Sequence, residues 1–542
     1  MSPLFISNFL RGDITLDFII TDFKGNTNEQ FAQAIDALKN NPGSTLFIPA
    51  GEYILTSEEG QKLQKRLMDG EFGFNPHLKL FNYHFEYPNP LLDLCGMKDI
   101  TIKGDNAKII CDGFTRILYI HNSENITIEG ITFDYFRRPY TSGKIVRIDE
   151  ESYDFKADDT RLLSENSPAP RALVYDLEKQ CFGDFQNSPV VSSEKLEKIS
   201  DDTFRIRRKV DKKYLNAPTA IQHTWHTVSA VGIYEAKNIH LAQVTVLCAF
   251  GMGIVGQNSE NIYLDKCAVK PAENTYFSTN TDSTHFAALS GVLECTDCHF
   301  EGSGDDGINV HGYYETILSH GGNCAETRFT RYCTHGVIQT YPRCGDTLEL
   351  LDPITLEQRD VFKVIKVQVD RKRVTTFLEL DHEIPKNVTG WYFCNLTQVP
   401  AVKLSGCTIK NVIATGACLR TKNSVIENCR IENSSLAAIK VAVEPTWLES
   451  GTSENITIKN NVIIDCGNPP FFHFCETSGI WIYLETERQL PLHKNIRIEN
   501  NKITACENQI AMDISCVDGL CVKNNNADKI KIANCINVDA DI

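Results

Sequence analysis

The chain has 542 residues, too many for one compact two-layer core, so it forms either several domains or one elongated repetitive unit. Its hydrophobic content of 42% and charged content of 23% are ordinary for a soluble folded protein. The net charge of −16 argues against nucleic acid and anionic membrane surfaces as partners, and it also weighs against a polyanionic substrate.

The segment MSPLFISNFLRGDITLDFII at residues 1–20 lacks a basic stretch, a long apolar run and a small-residue cleavage site. We therefore expect a cytoplasmic protein, or an exported one whose signal peptide is absent from this sequence. Residues 26–55 predict a short amphipathic helix followed by a strand. Such a helix would cover the exposed strand edges at the start of a repetitive fold.

A short pattern recurs through most of the remaining chain: a strand of alternating apolar residues, an Asn or Gly turn, and another short strand. Residues 453–467 (SENITIKNNVIIDCG) are matched by residues 493–508 (HKNIRIENNKITACEN). A recurrence of about 20–25 residues without helical periodicity predicts an all-β parallel solenoid. We interpret the Asn-x-Ser/Thr sequences as turn residues; they begin at Asn125, Asn387, Asn395, Asn433 and Asn455.

The 20 cysteines are scattered among the apolar segments, which predicts reduced and buried thiols. One CxxC pair, Cys295 and Cys298, has no second pair at the spacing that a zinc site needs.

Two regions with longer alternating strands interrupt the repeat and predict inserted antiparallel β-barrels or sandwiches. Insertions at the corners of a solenoid commonly form the walls of a site. The expected organisation is an N-terminal cap with the first rungs at 1–140, an inserted β-barrel at 141–228, central rungs at 229–312, a second inserted β-barrel at 313–399, and C-terminal rungs at 400–542.

Three aspartates form the candidate catalytic group. Asp305 and Asp306 lie in EGSGDDGINVHG (301–312), and Asp282 lies about one coil earlier in STNTDSTHF (278–286). Residues one coil apart stack on the same face of a parallel solenoid, so the three carboxylates should cluster. The glycines around the pair allow tight turns or close approach of a ligand. A polar turn ladder without catalysis is the alternative interpretation.

Clustered carboxylates suit glycoside hydrolysis, in which one carboxyl donates a proton to the leaving oxygen and another is an ionised base or nucleophile. Mutual repulsion separates the pKa values of such groups. Because the carboxylates come from different rungs, the sequence leaves their separation open, and with it the choice between inversion and retention.

Two other functions compete with hydrolysis. Asp282, Asp305, Asp306 and Asn309 offer the oxygen ligands of a calcium site, as in solenoid polysaccharide lyases. A lyase also needs basic residues to neutralise a uronic acid, and the sequence near these motifs has histidines but no cluster of Lys or Arg. The second alternative is a carbohydrate-binding or structural β-helix without turnover.

The motifs NTD (280–282), GDD (304–306) and HG (311–312) resemble those of the family 28 polygalacturonases, inverting β-helix enzymes. Here, however, His-Gly follows the aspartate pair directly, and the RIK motif that holds the galacturonate carboxylate has no counterpart. The polygalacturonase resemblance is therefore the more distant one.

A closer resemblance is to glycoside hydrolase family 110, the exo-acting α-1,3-galactosidases. It is carried by GMGIVGQNSENIYLDKCAVKP (251–271), FSTNTDSTHF (277–286), GSGDDGINVHG (302–312) and WLESGTSENITIKNNVI (447–463), in that order. It implies a right-handed parallel β-helix with two inserted antiparallel β-barrels. It also implies inverting release of terminal α-1,3-linked galactose from a glycan, with no metal or other cofactor.

The same resemblance implies roles for individual residues, without deciding which carboxyl is the acid or whether branched or linear galactosides are preferred. A homodimer is among the expected assemblies. The implied acid/base residues are Asp282, Asp305 and Asp306, and the implied substrate-binding residues are His285, Asn309, His311, Glu449 and Trp447.

Overall fold

The computed structural model describes residues 16–80, 85–186, 196–328, 340–467, 478–505 and 509–541. Residues 1–15, which hold most of the segment that bears on an export signal, lie outside them. The described helices are few: α-helices Thr27–Asn40, Glu58–Met68 and His77–Leu80, and 3₁₀ turns Ile20–Asp22, Lys212–Tyr214 and Pro445–Trp447. Across these ranges, no helix has the length and apolar character needed to span a membrane.

The predicted N-terminal helix is confirmed as Thr27–Asn40. Asn26 begins it with a capping box, in which its Oδ1 accepts from the Glu29 backbone N–H at 3.0 Å and the Glu29 carboxylate accepts from the Asn26 N–H at 2.8 Å. Phe31, Ala34 and Leu38 form its buried face. The spacing of these three residues packs the helix against the end of the solenoid core.

The sheet with the most strands, 21, is here called the long sheet, and its pairings between rungs are parallel. The register places equivalent apolar residues on successive rungs, for example Ile126, Ile239, Ile262 and Leu293. The long sheet comprises Asp17–Ile19, Thr45–Ile48, Gly51–Thr56, Lys98–Asp112, Glu124–Tyr135, Lys237–Ala242, Thr245–Val246, Glu260–Asp265, Ala268–Val269, Ser290–Thr296, His299–Glu301, Ala401–Ser405, Thr408–Val412, Lys422–Glu427, Arg430–Ser434, Glu454–Lys459, Val462–Ile464, His493–Glu499, Lys502–Thr504, Val517–Lys523 and Asp539–Ala540.

A second parallel ladder, here called the site sheet, closes each rung on the other side of the core. Along each strand, side chains point alternately into the apolar core and outward. Its strands are Leu92–Asp93, Leu118–His121, Val231–Tyr234, Ile254–Gln257, Thr284–Ala287, Ile308–Gly321, Ala417–Leu419, Ile439–Val443, Ser478–Leu484, Ile510–Ser515 and Ile530–Ala533.

The first insertion is a seven-stranded antiparallel sheet, here called the first inserted sheet. Side chains from strands far apart in its order, such as Val174 and Phe204, meet in one apolar core, so the sheet curls around them. Its strands, in their order across the sheet, are Cys181–Gln186, Arg171–Asp176, Pro218–Gln222, Tyr140–Ile148, Tyr153–Ala157, Thr203–Ile206 and Glu197–Lys198.

The second insertion is a closed six-stranded antiparallel barrel, here called the inserted barrel. Strand Ile308–Gly321 begins in the site sheet and ends in this barrel. Going around it, the strands are Ile308–Gly321, Cys324–Arg328, Thr375–Leu380, Gln358–Asp370, Thr347–Leu351 and Tyr392–Asn395, which pairs back with the first. The predicted fold, an all-β parallel β-helix with two inserted antiparallel β domains, is confirmed: the first insertion is a sheet curled around its own core, and the second is a closed barrel.

A column of small polar side chains runs along one inner corner of the solenoid. Buried Cys267 and Cys298 each place Sγ within 3.4 Å of a backbone carbonyl of the preceding rung. On later rungs, asparagine takes over the same position. Asn461 and Asn501 donate from Nδ2 to carbonyls of the preceding rung at 3.0 and 2.9 Å. Cysteine and asparagine thus perform one task, the donation of a hydrogen bond to a backbone carbonyl of the preceding rung.

Replacement of Asn501 by alanine should lower the free energy of unfolding by about 1–3 kcal/mol, because it removes the hydrogen bonds that this buried side chain makes to the Ile458 carbonyl and to Asn525. Chemical denaturation measures the loss. Asn501→Cys, which restores the side chain of earlier rungs, should lose less. Equal losses in the two variants would contradict this account of the column.

Candidate active site

The candidate site lies on the outward face of the site sheet, where loops enter two successive strands. Asp282 precedes strand Thr284–Ala287, and Asp305 and Asp306 precede strand Ile308–Gly321. The parallel register pairs Thr284 with Ile308, which puts Asp282 opposite Asp306, with Asp305 one residue further out. The structure therefore brings the three predicted aspartates together.

The glycines of this loop allow the backbones of successive rungs to pack closely. A Cβ on Gly304 would lie 2.5 Å from the Asn280 carbonyl oxygen, and a Cβ on Gly307 would lie 2.5 Å from that of Gly416. Both distances are shorter than any real contact, so a side chain would push the rungs apart. The two glycines accordingly allow the backbones of successive rungs to approach closely at the site.

Asp305 is the most accessible of the three carboxylates, with a side chain that is 32% exposed. Its surroundings are poorly solvated and Asp306 is negatively charged, and these two effects raise the pKa of Asp305 to about 7. Arg171 and Lys440 oppose the rise. Its Oδ2 lies 3.7 Å from Nε2 of His226. Near neutral pH this carboxyl is poised between its protonated and ionised forms.

Asp306 is held by donors. Its Oδ1 accepts from the Thr415 backbone N–H at 2.7 Å, and its Oδ2 accepts from Nδ2 of Asn309 at 3.0 Å. Burial raises its pKa, while Lys440, the Thr415 N–H and Arg420 favour the ionised form and oppose that rise. Asp305 and Asp306 are adjacent in sequence but lie in unequal environments, which separates their proton affinities.

Asp282 lies at the end of a buried chain of hydrogen bonds. Its Oδ2 is 2.6 Å from Nδ1 of His285, whose Nε2 is 2.9 Å from Nε2 of His311. His311 Nδ1 must carry a hydrogen, because it contacts the Gly312 carbonyl at 2.7 Å and a carbonyl only accepts. Burial lowers the pKa of His311, so its Nε2 accepts from His285. Asp282 and His285 then share one proton, in line with the strongly raised pKa of buried Asp282.

A buried network of charges forms the next part of the site. Arg420, which is 1% exposed, contacts Glu444 and lies 2.9 Å from an oxygen of Glu449. Nζ of Lys440 is 3.1 Å from both oxygens of Glu444, and the Tyr483 hydroxyl donates to Glu444 at 2.5 Å. Two cations and two carboxylates thus compensate one another away from water.

Glu449 and Trp447, both predicted as substrate-binding residues, come from one loop. Glu449 pairs with Tyr313 in a short antiparallel bridge and lies 3.7 Å from Nε2 of His311, so it belongs to the site. Trp447 ends a 3₁₀ turn and is 70% exposed. Its indole presents an apolar surface to solvent close to Glu449 in the chain.

The sequence near the motifs has no cluster of Lys or Arg, but the fold brings three cations to the site from distant parts of the chain. Arg171 comes from the first inserted sheet, and Arg420 and Lys440 come from rungs beyond the inserted barrel. His226 lies in the segment that returns from the first insertion, with a positive φ of 47°. Positive φ values occur at many non-glycine residues of this chain, so it is the 3.7 Å distance from Asp305, and not the backbone, that places His226 at the site.

Over the ranges that the structure describes, no group of three or more His, Cys, Asp or Glu side chains is arranged to hold a metal ion.

Comparison with known proteins gives three results. A family model described as a right handed beta helix region matches residues 393–541. Alpha-1,3-galactosidase A of Bacteroides fragilis is 26% identical over 548 residues, covering 93% of this chain and 86% of that protein. Alpha-1,3-galactosidase B of Bacteroides thetaiotaomicron is 25% identical over 521 residues, covering 91% and 82%.

This chain resembles the alpha-1,3-galactosidases over most of its length. The resemblance predicted from the motifs is therefore confirmed. Among solved structures, the family 28 exopolygalacturonase of Yersinia enterocolitica aligns with a TM-score of 0.40 and 11% identity, over 97% of this chain and 78% of that one.

Proposed function

We propose that the protein is an exo-acting glycoside hydrolase that releases terminal α-1,3-linked galactose from glycans. The observation that carries the proposal is the meeting of Asp282, Asp305 and Asp306 on one face of the site sheet. Similarity to alpha-1,3-galactosidases over 93% of the chain supports the choice of sugar and linkage.

In the proposed mechanism Asp305 is the general acid. It is accessible and keeps its proton up to about pH 7, so it can protonate the glycosidic oxygen as the bond to the anomeric carbon breaks. Asp306 is stabilised as a carboxylate by the Thr415 N–H and by Lys440. It accepts a proton from a water that attacks the opposite face of the ring. A single displacement of this kind gives β-galactose.

The remaining site residues would position these groups and the sugar. Asn309 bridges Asp306 and Arg420, and His285 and His311 fix the proton that Asp282 shares. Glu449 is 16% exposed and would accept a hydrogen bond from a galactose hydroxyl.

The test is a screen of aryl and natural α-galactosides with a stereochemical readout. We expect galactose to be released from an α-1,3-galactosyl disaccharide, with the β anomer appearing first by NMR. Activity should survive dialysis against a chelator, because the proposed mechanism uses no metal. Initial α-galactose would contradict the inverting mechanism, and no release from any α-galactoside would contradict the function.

A β-helix lyase acting on uronic acids is the second candidate, because Arg171, Arg420 and Lys440 surround the carboxylates and could neutralise an acidic sugar. Against it, Arg420 and Lys440 already contact carboxylates of the chain. A lyase would form an unsaturated product that absorbs in the ultraviolet and would lose activity with the chelator.

Trp447→Ala should raise KM for the disaccharide about three- to tenfold with little change in kcat, because the exposed indole would pack on the apolar face of a sugar. Steady-state kinetics give both constants. Ile354→Ala on the inserted barrel, 59% exposed in the parent, is the control and should change neither constant. An unchanged KM in Trp447→Ala would remove this residue from the binding site.

A further inference from the structure

We propose that Arg171 is a positioning residue of the active site, through which the first inserted sheet holds the two aspartate-bearing loops at a fixed separation and sets the charge around Asp305. This inference rests on the proposed function, and it adds a residue from outside the solenoid to the site. It gives the first insertion a role in catalysis.

The contacts of Arg171 join the two loops. It begins strand Arg171–Asp176 and is 3% exposed. Its Nη1 donates to the Asn280 carbonyl at 3.1 Å, and its Nη2 donates to the Gly304 carbonyl at 2.7 Å. Asn280 is two residues before Asp282, and Gly304 is next to Asp305. One planar guanidinium therefore spans successive rungs at the point where the carboxylates emerge.

Neighbouring groups hold the guanidinium in place. Its carbon lies 5.6 Å from the centre of the Trp225 ring, whose indole stacks on His77. Gln222 donates to the same Asn280 carbonyl at 3.2 Å, and Asn280 Nδ2 donates to the Thr224 carbonyl at 2.8 Å. The segment returning from the first inserted sheet thus grips the loop of Asp282 as well. Arg171 is the charged member of this contact.

The charge of Arg171 acts on the carboxyls. Burial lowers the pKa of the guanidinium to about 10, and interactions with Asp305 and Asp282 oppose that fall. By the same interaction Arg171 holds the pKa of Asp305 below the value that burial and Asp306 would impose. The charged and titratable groups that face Asp305 are Asp282, Asp306, Glu449, Lys440, Arg171 and His226.

A second buried arginine of the same insertion provides a matched control. Arg208 is 9% exposed and donates to the carbonyls of Ala169 and Pro170, within the insertion. Loss of either arginine removes a buried cation that bonds two carbonyls. Arg171 in addition donates to the loops that carry Asp282 and Asp305.

The experiment compares Arg171→Met, Arg171→Lys and Arg208→Met with the parent by the pH dependence of kcat and kcat/KM. In Arg171→Met, the basic limb of the profile, which reports the proton of Asp305, should move to higher pH by about one unit, because Asp305 loses a nearby positive charge. Arg171→Lys keeps the positive charge but cannot donate to both loops as the guanidinium does. Its pH profile should therefore match that of the parent, while kcat falls about tenfold or more. Arg208→Met should keep the parent profile at a lower Tm. An unshifted profile in Arg171→Met would overturn the proposal.

Two further measurements keep the test decisive. If Arg171→Met does not fold, Arg171→Lys alone tests the proposal, and an unchanged kcat in Arg171→Lys overturns the positioning role. If the parent cleaves no α-galactoside, the proposed function fails, and the proposal is tested by NMR titration of ¹³C-labelled aspartate carboxyls. A higher Asp305 pKa in Arg171→Met than in the parent supports the role of Arg171 independently of activity, and equal values overturn it.

Discussion

Asp305→Asn should lower kcat for galactose release by about a thousandfold or more, while the folded protein becomes more stable above pH 7. The loss follows from removal of the proposed proton donor. The gain follows from removal of a poorly solvated negative charge beside Asp306. Opposite effects on activity and stability distinguish a catalytic carboxyl from one that supports the loop.

The sign of the stability change follows from the pKa. The folded-state pKa of Asp305, about 7, is above the ordinary value of 3.8, so folding favours the protonated form. The stability that this proton contributes is fully present below pH 4 and is lost as pH rises through 7. Asparagine stays neutral throughout. Because the carboxyl is 32% exposed, we expect a gain of only about 1 kcal/mol at pH 8.

Thermal unfolding at pH 5 and pH 8, together with steady-state kinetics, checks both parts of the prediction. Asp36→Asn, on the exposed side of helix Thr27–Asn40, makes the same charge change far from the site and should alter neither activity nor its pH dependence. Retained activity in Asp305→Asn would rule out this residue as the acid. A stability loss at pH 8 would show that the carboxylate supports the fold.

The largest stability loss is expected for Glu444→Ala, about 3–5 kcal/mol, because it leaves two buried cations with too little negative charge. Glu444 contacts both Arg420 and Lys440, and among the described residues Glu449 is the carboxylate that would remain in contact with Arg420. Equilibrium denaturation measures the loss. Activity should also fall, since Lys440 acts on Asp305 and Asp306.

A surface ion pair is the control for this variant. Lys65 and Asp69 are 63% and 54% exposed, so Asp69→Ala should cost less than about 1 kcal/mol. A similarly small cost for Glu444→Ala would mean that water reaches the charge network of the site.

The sequence predicts the solenoid and the aspartate cluster for one physical reason: in a parallel solenoid, residues at equivalent positions of successive rungs lie on top of one another. Asp282 and Asp306 are separated by one uninterrupted rung, so counting along the chain brings them together. The same counting fails for Arg420 and Lys440, because Ile308 pairs with Ala417 across the whole inserted barrel. Only the structure shows which rung resumes the ladder.

Arg171 and His226 were missed for a different reason. Their positions depend on how the first inserted sheet docks against the solenoid, and no periodic pattern encodes that contact. The helix Glu58–Met68 was also missed, although Ser57 caps it by accepting from the Gly60 N–H at 3.1 Å. Its apolar residues are too few to stand out from the surrounding turns. Local signals of this kind need the neighbouring core to be interpreted.

Strand Ile308–Gly321 passes without a break from the site sheet into the inserted barrel. Residues 308–310 pair with 417–419, and residues 314–316 pair with 392–394 of the barrel wall. Asn309 and the barrel are therefore mechanically one piece, with no hinge between them. The barrel cannot move away from Asn309 unless backbone hydrogen bonds of this strand break. Hydrogen exchange should therefore show residues 308–316 opening together, at the slow rate of the solenoid core.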